Sequence, residues 1–314
     1  MQQIPIYVIN GFLESGKTSF LQDVLMGGDF LDGQRMLLIL CEEGEVEYDE
    51  TALANENISI VTVDDEEDFN AEFLLTCLKH YRPKRIFMEM NGMWNCKWMF
   101  EGGLPAGLDI AQVITIVDGS TFQVYLNNMR SILSNLFLYT EMVMFNRCTE
   151  DMDLQSYRRT VRGLNPRAMV YFEDEEGEPL DPGMDVPPYD LDAEVIQLED
   201  VDYGLWYLDA FEAQDRYDGK KIRFRAKVMK SKRFGDGIFV PGRNAMTCCE
   251  DDIRFVGYLC KAEFADLLKS RQWIWLTATI RYEYQREYGE VGPVLYGESY
   301  ETAQPPEEDT VYFN

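Results

Sequence analysis

Eight residues near the amino end, Gly11-Phe12-Leu13-Glu14-Ser15-Gly16-Lys17-Thr18, follow an apolar run at Ile6 to Ile9 and precede a helical one at Ser19 to Leu25. A strand, a G-x-x-x-x-G-K-T string and a helix in that order describe a phosphate-binding loop. Gly11 and Gly16 let the backbone turn tightly, so that successive N–H groups can point at phosphate oxygens. The positive end of the helix that follows adds to the field. Lys17 then neutralises the β/γ oxygens, and Thr18 offers a hydroxyl to Mg²⁺, an ion that takes few protein ligands and keeps waters. Ser15 and Ser19 belong to the same nucleotide-binding stretch. So does Glu14, whose charge beside a triphosphate is repulsive, so its side chain is expected to point outward.

The 314 residues suggest about two domains, each large enough to bury its own core. Lys and Arg number 29 against 56 Asp and Glu, a formal net charge of −27. Acid clusters at Glu42 to Glu50, Asp64 to Asp68 and Glu173 to Glu178 read as solvated loops. Such a field repels nucleic acid and anionic membranes and favours cationic partners, metal ions included. No apolar run approaches the ~18 residues of a membrane helix, and the first residues have strand periodicity with no basic leader. A cytoplasmic location is therefore expected. Seven cysteines with no C-x-x-C pair fit reduced thiols. The single histidine, His80, excludes by count a His-based triad or a multi-His zinc site.

Short apolar runs near 4–9, 36–41, 58–63, 85–90, 112–117, 142–146 and 168–172 alternate with helical spacing, as at Phe69 to Leu78 and Phe122 to Leu138. Strand then helix, repeated, predicts an α/β fold, a mostly parallel sheet with helices on both faces, over residues 1–175. Ligands of such sheets bind beyond the carboxyl ends of the strands. Four strand ends carry candidate chemistry, and the second strand's is Cys41-Glu42-Glu43-Gly44-Glu45-Val46-Glu47-Tyr48-Asp49. Met88-Glu89-Met90-Asn91-Gly92 offers a carboxylate for Mg²⁺ or its water and a glycine N–H for the γ-phosphate; Val113 to Asp118 and Asn146-Arg147 end two more strands. At each place a capping or loop-exposed polar residue is the competing explanation.

Gly11 to Thr18, Glu42-x-Gly44-Glu45-Val46, Glu89-x-x-Gly92, Val113 to Asp118, Asn146-Arg147 and Leu164-Asn165-Pro166-Arg167-Ala168 follow one another in the order found in the CobW-like GTPases, relatives of the HypB nickel chaperone. The chain resembles that family over roughly residues 4–172. The resemblance implies a GTP-binding domain in which Lys17 and Thr18 serve the phosphates and Mg²⁺, Glu89 is the acidic residue on the Mg²⁺ side, and Asn146 approaches the base. It also implies slow hydrolysis coupled to a metal ion or cobalamin, with Glu89 and Glu45 as candidates for positioning water and a metal-receiving protein as a possible partner. Two departures stand out. The Cys-x-Cys-Cys motif of metallochaperone members is missing, and Asp64 to Asp68 lie where the thiols would be; carboxylates there suit harder ions, or form a plain acidic loop. Cys41 is either a thiolate ligand or a buried strand-end cysteine. The guanine-reading N-K-x-D string is Asn146-Arg147-Cys148-Thr149 here, and a neutral threonine cannot reproduce a charge-assisted carboxylate contact. GTP leads and ATP stays open, with Glu150 or Asp151 as substitutes.

An acid- and proline-rich linker is expected over 176–192, with too few apolar residues to pack, and a β-rich domain over 193–314. Strands at Ile222 to Val228, Gly237 to Val240, Ile253 to Leu259, Trp273 to Tyr284 and Val294 to Tyr300, with a short helix near Ala262 to Lys269, give the order of an OB-like barrel. Lys220 to Arg233 carry a basic stripe. The global charge argues against nucleic acid, so docking on the acidic first domain is its expected use. The Gly242 to Asp252 stretch, with Trp273 and Pro293-Val294-Leu295, resembles the soluble C-terminal domain of bacterial permease-associated membrane proteins of unknown function. Cys249, Asp251 and Cys260 are the ligands to test there for an ion such as Zn²⁺; two buried small residues are the competing reading of Cys248 and Cys249. The expected function is nucleotide hydrolysis, with a non-hydrolysing nucleotide-gated adaptor as the rival and a small-molecule kinase third. Nothing in the sequence sets the oligomeric state.

Overall fold

The structure is a computed structural model that describes residues 3–27, 32–42, 44, 46–183, 186–231, 233–246, 253–286 and 288–313. It divides into two compact units, one of residues 1–154 with 164–182 and one of 155–163 with 183–314. Glu45, Cys249 and Asp251 lie outside the described residues, as does Cys248. Among the described residues no helix is long and apolar enough to cross a membrane.

The first unit holds strands β1 (Ile4–Asn10), β2 (Met36–Leu40), β3 (Ile58–Thr62), β4 (Arg85–Glu89), β5 (Leu108–Asp118), β6 (Met142–Asn146) and β7 (Met169–Phe172). They pair in the order β3-β2-β4-β1-β5-β6-β7, every pairing parallel. The helices are α1 (Lys17–Met26), α2 (Glu50–Asn55), α3 (Ala71–Tyr81), α4 (Lys97–Phe100), α5 (Gly119–Asn128), α6 (Arg130–Leu138) and α7 (Leu154–Leu164), the last shared with the second unit's 155–163. A parallel strand buried on both faces reads as a continuous apolar run, and Met36-Leu37-Leu38-Ile39-Leu40 is one. Successive side chains alternate in face. Ile6, Val8, Leu37, Ile39, Ile86 and Met88 share one core with Leu74 and Cys77 of α3. Ile9, Leu38, Phe87, Ile114 and Ile116 meet Leu21 and Leu25 of α1 on the other face. The segment expected as one helix over 122–138 breaks at Met129 into two, and the chain from β1 leaves toward β2 while that from β5 leaves toward β6. That reversal opens a crevice beyond the carboxyl ends of β1 and β5.

The second unit adds β8 (Ile196–Gln197), α8 (Tyr203–Glu212), α9 (Gln214–Tyr217), β9 (Lys221–Met229), β10 (Ile238–Ala245), β11 (Arg254–Gly257), β12 (Cys260–Lys261), β13 (Trp273–Gln285), β14 (Glu290–Thr302) and β15 (Thr310–Val311). Five of its strands close a ring. β9 pairs with β10, β10 with β12, β12 with β14 in parallel, β14 with β13, and β13 with β9. Ile222, Phe224, Ala226 and Val228 alternate into its core with Trp206 of α8. Tyr189, inside the stretch read as a linker, is buried in the same core and shares a 2.7 Å hydrogen bond with Tyr217.

The alternation that buries those side chains turns Arg223, Arg225 and Lys227 outward, where acids of their own unit meet them. Arg223 pairs with Glu301 and Lys227 with Asp309, while Arg225 pairs with Asp200. Three cations of the stripe are thus paired within their own unit. Arg243 is fully buried, with Nη1 2.7 Å from Asp200 Oδ1 and Nη2 donating to Glu308 O at 2.9 Å, so it ties the carboxyl-terminal tail to the ring. Arg243→Met should destabilise the second unit by about 3 kcal/mol, the low end for a broken buried pair because Asp200 keeps Arg225. Denaturant unfolding followed by tryptophan fluorescence measures it, and protease should then cut first within 303–313; an unchanged midpoint refutes this role of Arg243.

Candidate functional site

β1 ends at Asn10, and its side-chain Oδ1 accepts from the Gly11 N–H at 2.9 Å, starting the loop that runs to α1. The loop is wedged between backbones. A Cβ on Gly11, whose φ is +143°, would stand 2.3 Å from Ile116 O of β5, and one on Gly92 would stand 2.4 Å from Gly11 O. Only hydrogen fits in either place. Gly16 enters α1 at φ +99° with no side-chain cap on the helix, so the first amides of a ten-residue helix face the loop. Glu14 also takes a positive φ of 61° and its side chain is exposed.

Lys17 is turned back into the loop. Its Nζ donates to Gly11 O at 3.0 Å and Phe12 O at 2.7 Å and pairs with the Glu42 carboxylate. Burial holds the Glu42 carboxyl above its ordinary range, against the opposing pull of Lys17. Thr18 Oγ1 donates to Glu89 Oε1 at 2.7 Å, and the Tyr48 hydroxyl donates to Glu89 Oε2 at 2.5 Å. Burial, with the Glu89 charge and hydrogen bond behind it, pushes the Tyr48 phenol well up, so it remains a neutral donor. Ser19 is exposed, and a cavity of about 240 Å³ is lined by Ser19 with Gly16, Lys17, Thr18, Glu42 and Glu89 among others.

The other wall comes from β5 and β6. Asn146 Nδ2 donates to Ser15 O at 2.8 Å, and Arg147 Nη1 donates to Glu14 O at 3.0 Å and to Asp118 Oδ2 at 2.5 Å. Two side chains from one strand end thus clasp consecutive loop carbonyls. Burial alone would raise the Asp118 carboxyl, but hydrogen bonds from Ser120 and Arg147 outweigh it and hold it below the usual aspartate range. At the position of the guanine-reading aspartate, Thr149 Oγ1 donates to Asp151 Oδ1 at 2.5 Å. The buried Ser15 Oγ and Asn146 Oδ1 have no protein partner among the described residues.

Thr18 and Glu89 present hard oxygen donors to one point, which suits Mg²⁺ better than a thiophilic ion. Among the described residues no group of three or more His, Cys, Asp or Glu is arranged to hold a metal ion of any kind. Cys41 is buried, donates to Met90 Sδ at 3.8 Å, and burial drives its thiol far up, as in a cysteine packed into the core. Cys260 is likewise fully buried in the barrel core. Asp64 to Asp68 are exposed, with Glu66 accepting from the Asn95 N–H at 2.9 Å. The sequence marks Lys17, Glu89, Asn146 and Arg147, and also the strand ends that hold Glu42, Tyr48 and Asp118, but not which of these pair. Glu42, Tyr48 and Asp118 reach them through strand order and register, with Leu40 opposite Glu89 across β2 and β4.

The family model "CobW/HypB/UreG, nucleotide-binding domain" matches residues 5–172, more than half of the 314-residue chain, and the model "DUF1980 C-terminal domain" matches residues 184–313. No curated protein matches. Among solved structures, a Zn(II)-bound triple mutant of the YjiA GTPase is 18% identical over 73% of this chain and 74% of its own, with a TM-score of 0.44. HypB from Archaeoglobus fulgidus is 12% identical over 55% and 82%, at 0.39. HypB from Helicobacter pylori in complex with nickel is 14% identical over 56% and 80%, at 0.34. Likeness of that grade lends no weight to function.

Two outcomes follow from the clasped loop. Gly92→Ala must push the Gly11 carbonyl aside, so nucleotide affinity measured by titration calorimetry should fall about tenfold or more, ~1.4 kcal/mol, in a protein that still folds; unchanged affinity would show that the loop tolerates the shift. For Asp118, whose folded-state pKa is lowered from 3.8, the stabilising contribution is full above that ordinary value and is lost as pH falls through the folded one. Thermal unfolding between pH 5 and pH 2, as a rough span for carboxylate titration, should show a shallower acid limb in Asp118→Asn than in the wild type.

Proposed function

The chain belongs to the CobW/HypB/UreG family through its nucleotide-binding domain, and from that premise we propose that it binds GTP with Mg²⁺ and hydrolyses it slowly, in step with handling a metal ion or engaging a protein partner. It also carries a DUF1980 C-terminal domain. The observation that supports the reading best is the convergence of Lys17, Thr18 and Glu89 at the mouth of the loop. In this reading the α1 amides and the Lys17 ammonium stabilise charge on the β/γ oxygens as water attacks the γ-phosphorus. Thr18 and Glu89 would hold Mg²⁺, which supplies further charge neutralisation on the phosphates when bound. Asn146 and Arg147 fix the loop from the base side through Ser15 O and Glu14 O. Gly92 brings its N–H to the γ-phosphate end. Glu45 stays a candidate for positioning water.

Guanine selectivity rests in this proposal on Asp151, which the Thr149 hydroxyl holds beside the motif position. The metal cargo is a transition ion such as Zn²⁺, with Cys249 and Asp251 as its proposed ligands and a metal-receiving protein as the partner. The barrel is not proposed to bind nucleic acid, since Arg223, Arg225 and Lys227 are paired with carboxylates. A second reading, a nucleotide-gated adaptor that does not hydrolyse, is favoured by the engagement of both Glu89 oxygens by Thr18 and Tyr48, which leaves that carboxylate poorly placed to take a proton from water.

GTP with Mg²⁺ at about a hundred times its Kd should stabilise the wild type by ~2.7 kcal/mol in a thermal-shift series with GDP, ATP and ADP. Lys17→Ala should abolish the effect, and Thr18→Ala or Glu89→Gln should remove its Mg²⁺ dependence. Equal protection of Lys17→Ala and wild type would refute the phosphate assignment. Single-turnover release of phosphate separates the hydrolase from the adaptor. Zn²⁺ affinity should fall in Cys249→Ser and stay constant in Asp65→Asn; no loss in Cys249→Ser removes the cargo assignment.

A further inference from the structure

An ammonium has three N–H donors and no acceptor, and those of Lys17 are all taken. Two go to the carbonyls of Gly11 and Phe12, at 3.0 and 2.7 Å, and the third side of the group is covered by the Glu42 carboxylate. The two side chains are 2% and 7% exposed, so water does little to screen them. Cys41 and Glu42 open the stretch between β2 and α2, of which Cys41, Glu42, Gly44 and Val46 to Asp49 are described. The far end of that stretch is held by the same machinery. Glu47 O accepts from Gln22 Nε2 of α1 at 2.9 Å, and Tyr48 donates to Glu89 Oε2, the carboxylate whose other oxygen receives Thr18.

We propose that Glu42 is an internal anion that competes with the nucleotide's phosphates for Lys17, so that phosphate binding and release of Glu42 and Tyr48 are a single event. The inference rests on the reading of Lys17 as the phosphate lysine. Two anions cannot share one buried ammonium without repelling each other across a poorly screened gap, and a polyphosphate carries more charge than one carboxylate. The contest is close because burial already disfavours the Glu42 anion. Moving Glu42 off Lys17 moves the chain that carries Tyr48 six residues later, and Mg²⁺ at Thr18 and Glu89 would contest the Tyr48 bond at its other end. Nucleotide therefore loosens this stretch instead of ordering it. The latch lowers affinity and converts occupancy of the loop into a change at an exposed surface segment, Val46 included.

Titration calorimetry with GTP and Mg²⁺ on the full chain tests the competition. Glu42→Gln leaves Lys17 without its buried counter-charge, so it should bind GTP at least about tenfold more tightly than the wild type, well within the cost of an unpaired buried charge. Equal or weaker affinity in Glu42→Gln overturns the proposal. A wild type that binds no nucleotide overturns the nucleotide reading beneath it, and the two failures are told apart by the wild-type titration alone. Should Glu42→Gln fold poorly, Tyr48→Phe keeps the Lys17–Glu42 pair and frees only the far end. Hydrogen exchange over 46–49 should rise on adding GTP to the wild type and be high in Tyr48→Phe before any addition. Exchange that falls or stays level in the wild type overturns the proposal.

Discussion

Backbone approaches backbone at the head of the phosphate loop, and the rest of the site follows from that. Gly11 lies so close to Ile116 O, and Gly92 so close to Gly11 O, that a Cβ at either would come within 2.4 Å of a carbonyl oxygen. Three strands, β1, β4 and β5, are thereby drawn together at their carboxyl ends. The close approach costs glycine's conformational entropy, which the parallel ladders on both sides of β1 offset. Once the loop is fixed, its carbonyls become acceptors of defined position. Lys17, Asn146 and Arg147 then have fixed targets, at Gly11 and Phe12, Ser15 and Glu14 respectively.

The first unit was legible because its strands are buried on both faces. A run such as Met36 to Leu40 cannot be a half-exposed strand, and the seven runs predicted from pattern are the seven strands of the sheet. Motif residues were legible for the same reason, each standing where an apolar run stops. Their pairings were not all so, because a residue pair such as Tyr48 and Glu89 is 41 positions apart in the chain and is joined only by strand order. Helix boundaries were less readable: the apolar spacing of Phe122 to Leu138 runs across Met129, where the backbone leaves helical geometry at φ −134°. In the second unit the ring of strands follows from alternation, but α8 does not. Tyr203, Trp206, Leu208 and Ala210 are buried on most sides of that helix, so it shows no clean polar face to mark its period.

Charge was the least transferable part of the sequence reading. A net charge of −27 describes the whole chain, whereas pairing is decided at ångström range, and the barrel's cations meet carboxylates two strands along the sheet or in the tail before they meet anything distant. The same locality governs the site. Asp118 is held ionised by Arg147 and Ser120, while Glu42, as close to a cation, is raised by burial. Exposure separates the two, since Arg147 is half open to solvent and Lys17 is sealed.

That difference assigns the two acid–base pairs different work. Arg147 and Asp118 form a half-solvated clasp that can hold Glu14 O whether or not anything is bound, because neither partner need give up its place when phosphates enter on the Lys17 side. Lys17 and Glu42 cannot behave that way. Every donor of the ammonium is in use, so any new anion arrives by exchange, and the carboxylate that leaves is near the start of a segment tied to Glu89 at its other end. A rigid clasp on one flank and an exchangeable ion pair on the other make the loop asymmetric. The Arg147 side is pre-organised, and the Lys17 side is where an incoming anion must do work on the protein.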